Sequence, residues 1–120
     1  MPETEVLIYA EDDDSAPLVG WLDGLPPKVQ DKCIVRIERL GQMGHELRRP
    51  EEDALRDGIR ELRIRFRREH YRILYFFSGE LAVLSHGIKK EGEVPPREID
   101  LALERKRRFE SDPDKHTYRE

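Results

Sequence analysis

The pattern of apolar and polar positions predicts one small domain of mixed α and β structure. Glu5 to Tyr9 is a compact run of β-branched and aromatic residues, which reads as a strand. An acidic turn follows from Glu11. Ser15 then caps a short helix with Pro17 in its first turn, burying Leu18, Val19 and Leu22 and ending at Gly24. Pro26 and Pro27 restart the chain, because proline suits a first helical turn and disrupts later ones. Val29, Cys33, Ile37 and Leu40 recur at helical spacing, and Ile34 widens the stripe. That helix ends near Gly41 or Gly44, so the two form a helical hairpin.

Residues 45–58 read as a polar loop broken by Pro50. Three strands are predicted after it. Leu62, Ile64 and Phe66 alternate with Arg63, Arg65 and Arg67, giving one apolar face and one arginine face. Tyr71 to Phe77 is nearly all apolar, as in a central strand covered on both sides. Ser78-Gly79-Glu80 marks a tight turn, and Leu81 to Ser85 is the next strand. Val94-Pro95-Pro96 opens a last helix with Ile99, Ala102 and Leu103 facing inward. Its acids Glu98 and Asp100 sit early and its bases Arg105 to Arg108 late, which suits the helix dipole. The order is β-α-α-β-β-β-α. A small antiparallel sheet with helices packed on one face is the economical arrangement, an α+β fold. One domain over residues 1–110 and a flexible tail over 111–120 are expected.

Composition narrows the class. The chain has 120 residues, 40% of them charged, which fits a single polar domain. No apolar run approaches the ~20 residues of a membrane helix, and Met-Pro-Glu-Thr-Glu does not resemble a secretory signal. Cys33 is the only cysteine, which excludes an internal disulfide and a multi-thiolate metal site; a reducing cytoplasm is the expected compartment. The net charge of −4 is unevenly spread. Residues 1–31 carry −7 and the remainder +3, and residues 56–72 hold seven arginines. Local sign, not net charge, decides whether a face attracts a polyanion.

Several residues are candidates for chemistry. Arg63, Arg65 and Arg67 on one strand face would lie about 6.5–7 Å apart, close to the roughly 6–7 Å between successive phosphates of a nucleic acid. Such a row tracks phosphates, or it is a solvated face paired with Glu61 and Glu69. Arg72 interrupts an apolar strand. It is either a core arginine paired with an acid of the first helices or an arginine rising from the sheet to hold a phosphate. His86 ends the fourth predicted strand and is either a packed residue or a proton carrier. Lys89 and Lys90 follow Gly87 on a rim, as a solvated turn or as cations facing a substrate. The histidines show no metal-ligand spacing. The sequence lacks a Gly-x-x-x-x-Gly-Lys phosphate loop and a Gly-x-Ser-x-Gly elbow.

These segments together resemble a known family. Leu-Arg-Asp-Gly-Ile-Arg-Glu-Leu-Arg-Ile (55–64), His-Tyr-Arg-Ile-Leu-Tyr-Phe-Phe (70–77), Leu-Ser-His-Gly-Ile-Lys-Lys (84–90) and Val-Pro-Pro-Arg-Glu-Ile-Asp-Leu-Ala (94–102) resemble the phage-derived, HigB-like branch of the RelE/ParE toxin superfamily. The resemblance covers residues 5–109 and implies the RelE fold. It implies the toxin of a type II toxin–antitoxin system, a ribosome-dependent endoribonuclease that cuts mRNA without metal or other cofactor. The implied partners are mRNA on the ribosome and a helix-turn-helix antitoxin. By position, Arg63, Arg72, Lys89 and His86 would be catalytic, and Arg65, Arg67 and Lys90 would bind RNA. Many RelE toxins keep a catalytic tyrosine after the basic turn; here that stretch is Glu91-Gly92-Glu93-Val94-Pro95-Pro96, and His86 is the fallback base. Two other readings remain: a ParE-like gyrase inhibitor of the same fold, and a non-catalytic RNA- or protein-binding module. A convergence of Arg63, Arg65 and Arg72 on one concave surface would favour a phosphate site.

Overall fold

The computed structural model describes residues 3–119. Met1 and Pro2, which contribute to the no-signal reading, and Glu120, the end of the predicted tail, lie outside the described residues. The elements are β1 (Glu5–Ile8), α1 (Pro17–Asp23), α2 (Pro27–Met43), β2 (Glu52–Arg56), β3 (Ile59–Phe66), β4 (Glu69–Ser78), β5 (Leu81–Lys89) and α3 (Pro96–Ser111). The five strands form one sheet in the order β1-β5-β4-β3-β2. β1 runs parallel to β5, and every other pair is antiparallel.

The α+β class holds, and each helix begins on a proline whose fixed φ suits a first turn. Three features differ from the expectation. The helices cover both faces of the sheet. Tyr71, Ile73 and Tyr75 of β4 pack with Leu18, Val29, Cys33 and Leu40 of α1 and α2. Leu74 and Phe76 of the same strand pack with Ile99, Ala102 and Phe109 of α3. An apolar strand offers large side chains to both faces, so both must be covered. The second difference is β2, in the segment read as a loop. Its apolar content is only Ala54 and Leu55, and its strand character comes from pairing with β3 through an Asp57-Gly58 turn in which both residues have positive φ.

The third difference is the C-terminal segment. In place of a solvated tail, the chain turns back after Ser111 and docks on β1. His116 is buried, stacks on the Tyr9 ring at 5.3 Å and holds the Ala10 carbonyl through Nδ1. The Tyr118 amide donates to the Ile8 carbonyl at 2.7 Å. This segment covers one end of β1, whose backbone would otherwise be an open edge.

Gly87 is the glycine of the His-Gly pair, and the Trp21 ring lies against its backbone. A Cβ at this position would sit 2.2 Å from the ring. Trp21 also meets Tyr71 edge-on, with centroids 6.3 Å apart. Gly87 thus lets α1 close on β5. Gly87→Ala is expected to destabilise the protein by about 1–3 kcal/mol through overpacking, read as a lower midpoint of urea unfolding with an unchanged m-value. An unchanged midpoint would show that the ring moves aside freely.

Candidate nucleic-acid interface

The β3–β4 hairpin builds the site. Its turn falls at Arg67-Arg68, which fixes the register: Arg65 faces His70, Arg63 faces Arg72, and Glu61 faces Leu74. Alternation puts Glu61, Arg63, Arg65, His70 and Arg72 on the face that carries α3. The core under α3 is built from Ile59, Leu74 and Phe76. The ladder beyond them toward the turn borders two open clefts. One, of about 580 Å³, is lined by Arg36, Glu51, Arg63, Arg65, His70 and Arg72, with Pro50, Ile64 and Tyr71. The other, of about 560 Å³, is lined by Asp53, Glu61, Arg63, Arg72 and the loop Gly92–Val94, among others. Arg63 and Arg72 belong to both.

Carboxylates are interleaved with these cations. Glu61 is 1% exposed; its Oε1 accepts from Arg72 Nη1 at 2.6 Å and its Oε2 from Arg63 Nε at 3.1 Å. Arg63 Nη2 also donates to Asp53 Oδ2 at 3.0 Å. Arg72 Nε and Nη2 donate to the carbonyls of Lys90 and Gly92, at 3.1 and 2.7 Å. Arg72 is therefore paired, as the conservative reading expected, but with an acid of the neighbouring strand and not of the first helices. Partial burial works to raise the Asp53 carboxyl. The Arg49 and Ala54 hydrogen bonds and the charges of Arg49 and Arg63 outweigh it and hold the group below the usual range. Arg36 and Arg39 both reach Glu51.

The pairing leaves spare donors. A guanidinium has five N–H groups. Arg72 uses three, on Glu61, Lys90 and Gly92, which leaves two. Arg63 uses two, on Glu61 and Asp53, which leaves three. Toward the turn the balance is more cationic. Among the described residues, Arg65, Arg67, Arg68 and Lys90 have no carboxylate within 4.0 Å of their charged groups. Arg65 Nε instead donates to the Arg67 carbonyl.

The other expected site residues are dispersed. Lys89 lies opposite Tyr71, on the sheet face away from Arg72; its Nζ pairs with Glu69 at 3.3 Å and lies 5.8 Å from the Tyr71 centroid. Lys90 leads out of β5, its amide held by the His70 carbonyl. Arg67 is not on the strand. It occupies the turn with φ +57°, its guanidinium over the Phe66 ring.

His86 is a correction. It is 7% exposed, and both ring nitrogens are occupied, Nδ1 by the Ser85 hydroxyl at 2.8 Å and Nε2 by Glu98 at 3.0 Å. Glu98 belongs to α3, so His86 fastens that helix to β5 and is not placed to serve as base. Burial and the Arg105 charge lower its pKa against the opposing pull of Glu98. Cys33 is likewise core, its thiol pushed up to about 11 by burial.

The residues that the sequence reading missed are Asp53, Glu51, Arg36 and His70. From the sequence, Glu61 reads only as a surface partner of the arginine row. The signal for Glu61 and His70 was the turn position, because a two-residue turn at 67–68 brings both onto the face of Arg63 and Arg72. Among the described residues, no cluster of three His, Cys, Asp or Glu is arranged to hold a metal ion. Among the described residues, no helix is long and apolar enough to cross a membrane.

Comparison with known proteins gives the class. The family model described as phage derived protein Gp49-like (DUF891) matches residues 20–107. That stretch covers the second half of α1, all of α2, the β2–β5 strands and most of α3. The chain belongs to this phage-derived family, which is related to the RelE toxins. No curated protein matches the chain.

Two outcomes follow. A non-glycine residue in the left-handed region costs on the order of 1–2 kcal/mol. Arg67→Gly should therefore raise the melting temperature by a few degrees while weakening binding of single-stranded RNA at low salt. Calorimetry paired with an anisotropy titration checks both signs. For His86 the folded pKa lies below the unfolded 6.5. The unfolded chain then binds the proton first, so its contribution is complete above 6.5 and is lost as pH falls below it, by at most about 1.4 kcal/mol per pH unit. Melting at pH 7.5 and 5.5 should show a drop that His86→Gln flattens; an equal drop in the variant would assign the effect elsewhere.

Proposed function

We propose that the chain is a RelE-type toxin of the HigB-like branch, an endoribonuclease that cuts mRNA on the ribosome and is neutralised by a helix-turn-helix antitoxin. The observation that carries this reading is the pairing of Arg63 with Arg72 in one open cleft, with spare donors on both. Membership of a family related to RelE toxins supports the class, and the motif order of residues 55–102 supports the branch.

The chemistry assigned to the cleft is transesterification. The 2′-oxygen of the substrate attacks the adjacent phosphorus and loses its proton. The bond from phosphorus to the 5′-oxygen breaks, and that oxygen takes up a proton. The products are a 2′,3′-cyclic phosphate and a free 5′-hydroxyl. Arg63 and Arg72 oppose the charge that grows on the phosphoryl oxygens, a role worth about 3–4 kcal/mol per well-placed donor group. Arg65, Arg67 and Lys90 hold the flanking backbone. Lys90 also takes the role of proton donor, because Lys89 lies on the other sheet face. With His86 in the core, His70 becomes the proton acceptor. It lines the cleft beside Arg72, and its ring makes no hydrogen bond among the described residues. Orientation by the ribosome supplies part of the rate, as alignment of reacting groups can.

Induced expression in a bacterial host should arrest growth, and primer extension on one transcript should show cuts at codon positions. Arg72→Ala should abolish both. His70→Ala should reduce cutting about 100-fold, within the range of a lost proton carrier. Arrest without mRNA cuts would move the function to gyrase or another target. A folded product that causes no arrest would favour a binding module.

A further inference from the structure

We propose that Glu61 is the positioning residue of the cleft, the carboxylate that makes Arg63 and Arg72 into one two-armed receptor for a phosphate. The activity arm of this proposal rests on the nucleolytic reading above; the geometric arm does not. Arg63 and Arg72 are direct partners across the β3–β4 ladder. Like charges at that separation repel and destabilise a sheet. Glu61 lies two residues before Arg63 on the same face and takes one guanidinium on each oxygen, at 2.6 and 3.1 Å. The Lys90 and Gly92 carbonyls take the other two nitrogens of Arg72, and Asp53 takes Arg63 Nη2. Every contact fixes a guanidinium plane, and the remaining N–H groups keep a set direction.

Glu61 is not placed to act as the base. It is 1% exposed, and both oxygens already accept from cations. It acts through the arginines. It also subtracts a charge from the site, and this separates positioning from electrostatics. If Glu61 served only to balance charge, Glu61→Asp would restore function, and Glu61→Gln would strengthen binding of a polyanion without harming turnover. A positioning carboxylate needs both its charge and its length.

The experiment uses the whole chain. Binding is measured by anisotropy with a 2′-O-methyl RNA oligonucleotide, which cannot be cut, and cutting is measured in a translating extract. For Glu61→Gln we expect binding equal to or several-fold tighter than wild type and cutting about 100-fold slower, the scale of a small misplacement of reacting groups. Glu61→Asp should also cut at least tenfold more slowly. Wild-type cutting by either variant would overturn the proposal. A second readout needs no activity. In the wild-type protein, the Arg63 Nε–H and the Arg72 Nη1 protons, the groups that Glu61 holds, should be shifted and slow to exchange compared with the matching protons of the exposed Arg68. Fast exchange like that of Arg68 would overturn the proposal even if the variants fail to fold. Slow exchange in a wild-type protein that cuts no RNA would instead reject the nucleolytic reading and leave the positioning role standing.

Discussion

The rung that places Arg63 opposite Arg72 constrains much of what surrounds it. Two guanidiniums on neighbouring strands are unfavourable unless an anion lies between them. Within the protein that anion is Glu61, supported by Asp53 and by the carbonyls of Lys90 and Gly92. Each neighbour has a structural consequence. Asp53 requires β2 at the edge of the sheet, and the carbonyls require the chain after β5 to fold over Arg72 before α3 begins. The arginine pair thus joins β2, β3, β4 and the loop 90–94 into one unit, with unsatisfied N–H groups facing solvent.

The sheet carries a second buried carboxylate, and the contrast shows what distinguishes a site from a strut. Glu52 is 2% exposed on the α2 face, where it accepts a 2.5 Å hydrogen bond from the Tyr75 hydroxyl and a forked pair from Arg60. Burial and the Glu52 hydrogen bond push the Tyr75 phenol far above its usual range. The Arg60 guanidinium is held charged by the same hydrogen bonds. This cluster sits among packed side chains. Removing one partner would strand a buried charge, whereas replacing the whole set with apolar residues need not weaken the fold. Glu61 differs because its arginines border open clefts. The same donor types are structural on one face and available to a ligand on the other, and the difference is how far the helices extend over the ladder.

Much of this was legible in the sequence because it rests on local pattern. The stripe of α2, the alternation of β3 and the apolar run of β4 each declare themselves within ten or so residues. β2 does not, because its register comes from a partner strand, and its one fully buried side chain is a glutamate. The side chosen by α3 was half-legible. The run Tyr71–Phe77 implies cover on both faces, so packing every helix on one face leaves Leu74 and Phe76 uncovered. At the site, period two put Arg63 and Arg65 on a common face correctly but carried Arg67 one residue too far, into the turn. Motif order groups His86 and Lys89 with the arginines, but His86, on their face, is buried under α3, and Lys89 points to the other side of the sheet. Proximity to a basic turn does not say whether a helix covers a side chain, nor which face it takes until the register is known.

The acidic net charge is compatible with a polyanion partner because of where the acids lie. Glu11 reaches Arg105 at 3.2 Å and Arg108 at 4.0 Å, and Asp12 reaches Lys115 at 3.6 Å. The N-terminal excess is thus partly spent on α3 and the docked C-terminal segment, around β1 at one edge of the sheet. Among the described residues, Arg65, Arg67, Arg68 and Lys90, four cations without a carboxylate partner, gather at the β3–β4 turn, where Glu69 is already engaged by Lys89. The two groups belong to different parts of the sheet, and exposed charges more than about 8 Å apart are largely screened at physiological salt. A phosphate chain approaching the turn would meet the arginines and little of the acidic edge. Local field then governs encounter, and the Glu61-paired arginines meet the chain once it has arrived.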